Sequence, residues 1–345
     1  MAGARSNRGP LLRDVAQRAG VSVGTVSNVL NNPEKVSPET LTRVQAAITE
    51  LGFVPNAAAR QLRAGRSASV GLLVLDVRNP FFTDLAAGVE EAAIDSGLAV
   101  ILATSSGRPD REAMYLERFE QSRVDGVLVT PVGSSVEPLV ALRDRGTPVI
   151  LLDRLTQTPG FSSIAVDDAE GGRLGGQHLV DIGCRHIAFV GGPRTLEQVR
   201  NRAAGARRVA EAAGVDLTEI LTTDMSADEG HRVGTEIAAL PPDERPDGIF
   251  AGNDLIALAV LQALLSAGIR VPEEVAVLGY DDIPFAALAT VPLSSIRQPS
   301  HLMGQRAMAL LTAHLRGDTA HSDHEVFTPE LIVRGTTAGH RRDDA

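Results

Sequence analysis

With 345 residues, 43% of them hydrophobic, the chain is too long for one ordinary domain and can fill two sizeable cores beside a small module. No apolar run reaches the ~18–20 residues of a membrane span, and the segment Met1 to Pro10 lacks the apolar stretch of a secretory signal, so a cytoplasmic protein without a membrane partner is expected. The net charge of −10, taken alone, argues against nucleic acid, and the single cysteine, Cys184, excludes an internal disulfide and any multi-cysteine metal site.

The charge is uneven. Residues 1–66 hold nine Lys and Arg against four Asp and Glu, a net +5, which leaves −15 for the rest. A basic head on an acidic body suits a protein that meets phosphate with one end and repels it with the other. Cys184 itself reads as a small buried thiol.

In chain order, LRDVAQRAGVSVGTVSNVLNN (Leu12 to Asn32) predicts two short helices joined by a tight turn. Leu12, Val15, Ala16 and Ala19 share one face; Gly20 permits the turn; Ser22 caps a second helix that turns Val26, Val29 and Leu30 inward. This is a helix-turn-helix, and small Ala16 lets the helices approach closely. Its outward Val23, Gly24, Thr25, Ser27 and Asn28 are left to meet base edges and phosphates in a major groove. VSPETL predicts a third helix with Ser37 as cap, Pro38 in first position and Glu39 favouring the dipole. Leu41, Val44, Ile48 and Leu51 form its buried stripe and Gly52 its end. A plain three-helix bundle would share these stripes, but not the turn spacing and the local positive charge.

PNAAARQLRAG (Pro55 to Gly65) offers about eight helical residues, fewer than the ~12–15 at which an isolated helix becomes marginal in water. It is expected to order only against a partner. Two copies packed through Ala58 and Ala59 at a dimer axis would present Leu62 as a wedge to the minor groove; a flexible linker is the alternative.

From Ser67 the pattern changes. Apolar runs at 70–77, 99–104, 126–131 and 148–153 alternate with amphipathic stretches such as 84–97, and the cycle restarts with runs at 186–192, 247–254 and 275–282 around helices at 202–213 and through Leu265. Buried parallel strands joined by crossover helices give this alternation. Two doubly wound α/β lobes with a cleft between their strand ends are expected, the chain crossing near Val166, Arg297 and Phe327. The expected domains are therefore 1–54 (helix-turn-helix), 55–66 (hinge helix and linker) and 67–345 (core). Within the core, lobe 1 is about 67–166 and 298–326, and lobe 2 about 167–297 and 327–345.

The motifs DVAQRAGVSVGTVSNVLN, VSPETLTRV, LGFVPNAAARQL, RNPFFTDLAAGVE, HIAFVGGP, FAGNDLIALAVLQAL, VPEEVAVLGYDDIPFA and ELIVRGTT, in this order, resemble the LacI/GalR family of bacterial transcription regulators over essentially everything after Pro10. The resemblance implies a homodimer on a near-palindromic double-stranded DNA operator, a periplasmic-binding-protein-like core, and a small-molecule effector in the interlobe cleft. By motif position it implies DNA contacts from Ser22, Val23, Gly24, Thr25, Ser27, Asn28, Asn31, Lys35, Ser37, Thr40, Asn56, Ala59 and Leu62. Leu11 departs from the Thr or Ser that often caps the family's first helix, so a frayed end is expected there. Val23 and Gly24 bring no side-chain hydrogen bonds, which leaves thymine-methyl contact, backbone groups or DNA shape to discriminate.

A sugar-like effector needs multivalent polar groups converging on a concave site with an apolar face. Phe81 can stack on a ring, Asp153 and Asp281 can accept hydroxyl hydrogens, Arg202 can donate in a fork and Asn253 can do both. The resemblance places these five in the effector pocket and adds Asn79, Phe161 and Gln298. Each taken singly has a cap or turn role as its alternative, Asn253 and Asp281 above all.

A periplasmic sugar-binding protein would need an export signal in place of the basic head. An enzyme would need a nucleotide or nucleophile motif, and neither G-x-G-x-x-G behind a strand, a P-loop nor G-x-S-x-G occurs. HSDH (His321 to His324) reads as a solvated loop, not a metal site. No cofactor and no metal are expected. Repression is the default function, ligand-dependent activation the alternative, and the tail after Arg334 lacks the heptads of a coiled-coil tetramer.

Overall fold

The structure, a computed structural model, describes residues 10–53, 67–133, 136–156, 158–318 and 323–340. The chain divides into two compact units between Ser67 and Ala68. The proposed hinge at 55–66, with Asn56, Ala59 and Leu62, lies outside the described residues, as does His321.

The first unit is helical: α1 (Leu12–Ala19), α2 (Val23–Asn31) and α3 (Pro38–Leu51) surround Val15, Ala16, Ala19, Val26, Val29, Val44 and Ala47. Gly20 takes the left-handed φ of +64°, and the Val21 N–H donates back to Ala16 O at 3.0 Å, closing α1 with the expected tight turn. The start of α1 differs from the expectation of fraying. Leu11 offers no cap, but the Asp14 carboxylate accepts from the Leu11 N–H at 2.7 Å, which supplies half of a capping box. On the far side, Arg18 of α1 pairs with Glu50 of α3 at 2.6 Å.

The second unit holds two six-stranded sheets with the same strand order, β11-β5-β4-β3-β1-β2 and β12-β10-β9-β8-β6-β7. Their strands are β1 (Ser69–Val74), β2 (Ala99–Thr104), β3 (Gly126–Val129), β4 (Val149–Leu152), β5 (Ser162–Val166) and β11 (His324–Phe327) in lobe 1. Lobe 2 has β6 (His186–Val190), β7 (Asp216–Ile220), β8 (Gly248–Ala251), β9 (Ala276–Asp281), β10 (Ser294–Arg297) and β12 (Glu330–Ile332). All pairings are parallel except β10 with β12. Alternate residues of each central strand feed clusters on opposite faces: Val70, Leu72 and Val74 one, Leu73 the other.

The chain passes from lobe 1 to lobe 2 between β5 and the helix Asp168–Asp181, returns between β10 and the helix Ser300–Arg316, and crosses again between β11 and β12. Helices cover both faces of each sheet. In lobe 2, Asp168–Asp181 and Glu197–Ala213 cross almost backbone to backbone: a Cβ on Gly172 would lie 2.1 Å from Arg202 O, and one on Gly205 2.2 Å from Ala169 O. That close approach sets Arg202 at a fixed depth beside the strand ends. Of HSDH, only Asp323 and His324 are among the described residues; His324 opens β11, with its Nδ1 2.8 Å from Ser163 Oγ. Cys184 is buried, its Sγ 3.7 Å from Asp247 O.

Candidate DNA-reading face and interlobe cleft

On the head, α2 begins at Ser22, whose Oγ accepts from the Thr25 N–H at 3.0 Å and lies 2.9 Å from Thr25 Oγ1. Asn31 Nδ2 donates to Ser27 O at 2.8 Å, one turn back. Apolar Val26 and Val29 are buried on one side, while Val23, Gly24, Asn28 and Asn31 are exposed on the other, and Thr25 and Ser27 are half-buried. Lys35 ends a short 3-10 turn (Pro33–Lys35) and is exposed; Ser37 caps α3 through the Thr40 N–H at 3.4 Å. The helix therefore shows small and polar side chains outward on a rigid base, the geometry a groove-reading helix needs.

The cleft of the core is a cavity of about 140 Å³, open to solvent, between the carboxyl ends of the two sheets. Seven of the eight candidate residues line it: Asn79, Phe81, Asp153, Arg202, Asn253, Asp281 and Gln298. Asp153 follows β4 and Asp281 ends β9, which occupy the same place in the two strand orders, and both have positive φ, +51° and +110°. Such backbone is costly for a non-glycine residue and is held only where the surroundings over-determine it.

Those surroundings are reciprocal. Asn79, which caps the helix after β1, donates from lobe 1 to Asp281 Oδ2 of lobe 2 at 2.9 Å. Gln198, in the first turn of the helix after β6, donates from lobe 2 to Asp153 O and Oδ2 of lobe 1, at 2.7 and 2.9 Å. Each lobe thus extends one amide to the other's aspartate. Gln298, at the second crossing, adds a bond to Asp281 Oδ1 at 2.7 Å.

Arg202 stands behind these groups. Its Nε donates to Asp168 Oδ1 at 2.7 Å, its Nη1 to Gly252 O at 2.8 Å, and its guanidinium lies 3.7 Å over the Tyr280 ring, with Asp281 Oδ1 3.9 Å away. Burial works against its charge, but Asp168, Tyr280, Asp281 and Asp153 more than restore it and raise its pKa. The carboxylates share this one guanidinium, so they cannot all ionise easily. Burial, then the Asp168 charge, pushes Asp153 up to about 8. Burial pushes Asp281 up to about 6, against the opposing effect of Arg202. Burial also raises Asp168 despite Arg202, and holds Asp254 well above the usual range, where it anchors the Ile283 N–H and Ser295 hydroxyl.

Comparison with known proteins decides what this pairing of head and cleft is. Residues 11–56 match the pattern of bacterial regulatory proteins of the lacI family, and residues 177–337 that of a periplasmic binding protein-like domain. The ribose operon repressor of Escherichia coli K12 is 34% identical over 330 residues, which is 94% of this chain and 99% of that protein. The chain belongs to the LacI family of bacterial regulatory proteins. Among solved structures, a transcriptional regulator CelR–cellobiose complex is similar at 34% identity and TM-score 0.68, over 95% of this chain and 99% of that one. The lac repressor dimer bound to operator and the anti-inducer ONPF is similar at 27% identity and TM-score 0.82, over 96% and 99%. This LacI-family chain is a regulator and not an enzyme.

The sequence reading of this regulator's cleft needs one correction. Phe161 does not line the cavity; it lies fully buried among Leu139, Leu142 and Val149, with the Arg143 guanidinium 4.8 Å over its ring. It precedes β5, and the cleft lies beyond the opposite, carboxyl ends of the strands. Asn253 lines the cleft with both ends of its amide engaged: Oδ1 accepts from the Ile256 N–H and Nδ2 donates to Met225 O, each at 3.0 Å. Its cap role is realised. Gln198 also lines the cleft although its sequence position did not single it out, and a signal existed: it precedes Arg202 by four positions, so both share one helix face. Asp76, Arg78 and Asp224 at the mouth, and Asp168 behind Arg202, were missed as well.

Proposed function

We propose that this regulator is a cytoplasmic transcriptional repressor that binds a near-palindromic operator as a homodimer and is controlled by a small sugar-like effector held in the interlobe cleft. DNA contacts come from Ser22, Val23, Gly24, Thr25, Ser27, Asn28, Asn31, Lys35, Ser37 and Thr40 of the described head, and from Asn56, Ala59 and Leu62 of the following segment. Asn79, Phe81, Asp153, Arg202, Asp281 and Gln298 hold the effector, with Asn253 shaping the wall.

The observation that carries this reading is the coexistence of two built sites on one chain. One is an exposed polar helix face on a basic unit; the other is a buried polar cluster bridging two lobes of an acidic unit. The relatives point the same way: one is a repressor of a ribose operon, one was solved with cellobiose, and one was solved as a dimer on its operator. Both sheets and both lobe-bridging amides belong to the same unit, so a ligand there bears on how the lobes close, and a ligand shifts an equilibrium by its differential affinity for the two states. No helix among the described residues is long and apolar enough to cross a membrane.

Selection from random duplex DNA by the purified full chain tests the DNA half of the proposal. A near-palindrome should be enriched, with half-sites spaced for two heads. Enrichment of no sequence would sink it and leave a sugar-binding protein without a DNA role.

A further inference from the structure

Two consecutive residues of one lobe meet two consecutive residues of the other. Asp153 and Arg154 follow β4 in lobe 1, and Glu197 and Gln198 open the helix Glu197–Ala213 in lobe 2. Gln198 reaches Asp153, and beside that contact Arg154 Nε lies 3.6 Å from Glu197 Oε2. Asp153 and Gln198 line the cavity; Arg154 and Glu197 do not. The charged pair therefore joins the lobes from outside the space that a ligand would fill.

Each charge is fixed in place by its own lobe. Arg154 Nη1 donates to Gly133 O at 2.5 Å, and the side chain is only 11% exposed. The loop that carries Gly133 is held in turn by Glu112, buried in the first turn of the helix Pro109–Gln121, whose Oε2 accepts from the Val132 N–H at 2.6 Å. Burial raises the Glu112 carboxyl, while the Val132 N–H and the Arg154 charge act to lower it. On the other side, Glu197 stands in the first turn of its helix, where the dipole favours a negative charge. Two long side chains that must first be ordered lose most of what an ion pair gives. Here the ordering belongs to each lobe separately, so the pair forms and breaks with the meeting of the lobes.

The other contacts across the cleft are of a different kind. Asn79 and Gln198 donate amide hydrogens to Asp281 and Asp153, cavity groups whose carboxyls burial pushes up to about 6 and about 8. Arg78 is held by Asp76 of its own lobe at 2.7 Å and feels Asp224 and Asp228 of lobe 2 only through their field.

We propose that Arg154 and Glu197 form an electrostatic clasp that sets how readily the two lobes close. Both are positioning residues, and they act on closure without touching what the cleft holds. The consequence for effector affinity rests on the reading of the cleft as the effector site; the clasp itself does not.

The test is hydrogen exchange of the full chain, read by mass spectrometry with no sugar present. It compares the protein with Glu197→Gln, a substitution at a half-buried position that keeps the side chain's shape and removes its charge. Segments 75–82 and 193–199, which line the cleft from opposite lobes, should exchange roughly threefold faster in the variant, the scale of a partly exposed ion pair, while β1 and β6 keep their protection. Raising the salt from about 0.05 to about 0.5 M should speed the same segments in the unsubstituted protein, and less so in Glu197→Gln. A merely structural role for Glu197 would not produce that difference. Arg154→Met, alone and together with Glu197→Gln, completes the cycle: the double substitution should open the cleft no further than Arg154→Met does. Unchanged exchange in both segments, an equal salt response in the two proteins, or additive effects in the cycle would overturn the clasp. Calorimetry with ribose and cellobiose reads the consequence, since a sugar that binds should bind Glu197→Gln roughly threefold more weakly. If neither sugar binds, the loss falls on the effector reading, and the exchange result still decides the clasp.

Discussion

On the recognition helix of the head, Val23 and Gly24 stand exposed and the hydrogen-bonding side chains reach three or four residues, from Ser22 to Thr25 and from Asn31 to Ser27. In the cleft, Asn79 reaches Asp281 across 202 positions of sequence, and Asn79, Asp153, Asp168, Gln198, Arg202, Asp281 and Gln298, which meet there, are all buried. The head's surface is held by bonds between near neighbours in sequence, all within its own unit. The cleft's surface exists only while two lobes meet, because its amides lie on one lobe and their carboxylates on the other. A site of the first kind suits constant reading of a polymer; a site of the second kind suits a switch.

The difference is open to attack. The largest expected effect is that of Arg202→Met, which leaves Asp168, Asp281 and Asp153 without their guanidinium. Breaking a buried pair in this way costs about 3–5 kcal/mol, read as a lower denaturation midpoint of the core with the head's own transition unmoved. A core as stable as the unsubstituted protein would contradict the electrostatic account of the cluster.

Next in size is a dependence on pH that belongs to the cleft. Asp153 has its carboxyl at about 8 in the folded protein against an ordinary 3.8. The stability it contributes is therefore complete below pH 3.8 and is lost as pH rises through about 8. Asp281, at about 6, acts in the same sense over a narrower window. Sugar hydroxyls that donate to Asp153 favour its ionised form, so effector binding near neutral pH should release a proton and affinity should rise with pH up to about 8. Calorimetry in buffers of different ionisation enthalpy measures that proton; uptake instead of release would contradict the assignment. The smallest effect falls on the head: Ser22→Ala removes the α2 cap and should cost about 1 kcal/mol there, seen in the head's melting alone. A matching shift in the core would break the separation drawn here.

The same contrast explains how much could be read in advance. The head was legible because its signals are local: a cap at Ser22, a turn glycine at Gly20, a stripe at Val26 and Val29. The central strands were legible because burial on both faces makes them apolar runs, as in Val70 to Val74 or Val149 to Leu152. β10 gives no such signal. It begins with two buried serines whose partners include Arg334, Thr336, Thr337 and Asp254, forty or more residues away, beside the nearer Asp282 N–H. Edge strand β7 is mixed for the opposite reason, since its Asp216 and Thr218 face solvent.

In the cleft, Asp153, Arg202 and Asp281 could be chosen for their chemistry, but their partners could not. Gln198 matters because its helix starts where the other lobe's aspartate ends, a fact of the strand order and not of local sequence. Phe161 was misplaced for a related reason: chemistry makes it a plausible ring-stacking residue, and only its position at the wrong end of β5 removes it. The start of α1 shows the reverse, a local departure at Leu11 repaired by a local neighbour, Asp14.

The central claim is that the two sites are coupled, and the most direct measurement is operator affinity, on the duplex recovered by selection, with and without a sugar that binds the cleft. The account predicts that sugar changes the affinity for DNA, and that DNA changes the affinity for sugar by the same factor, as linkage requires. Sugar that binds the cleft while operator affinity stays the same would contradict it.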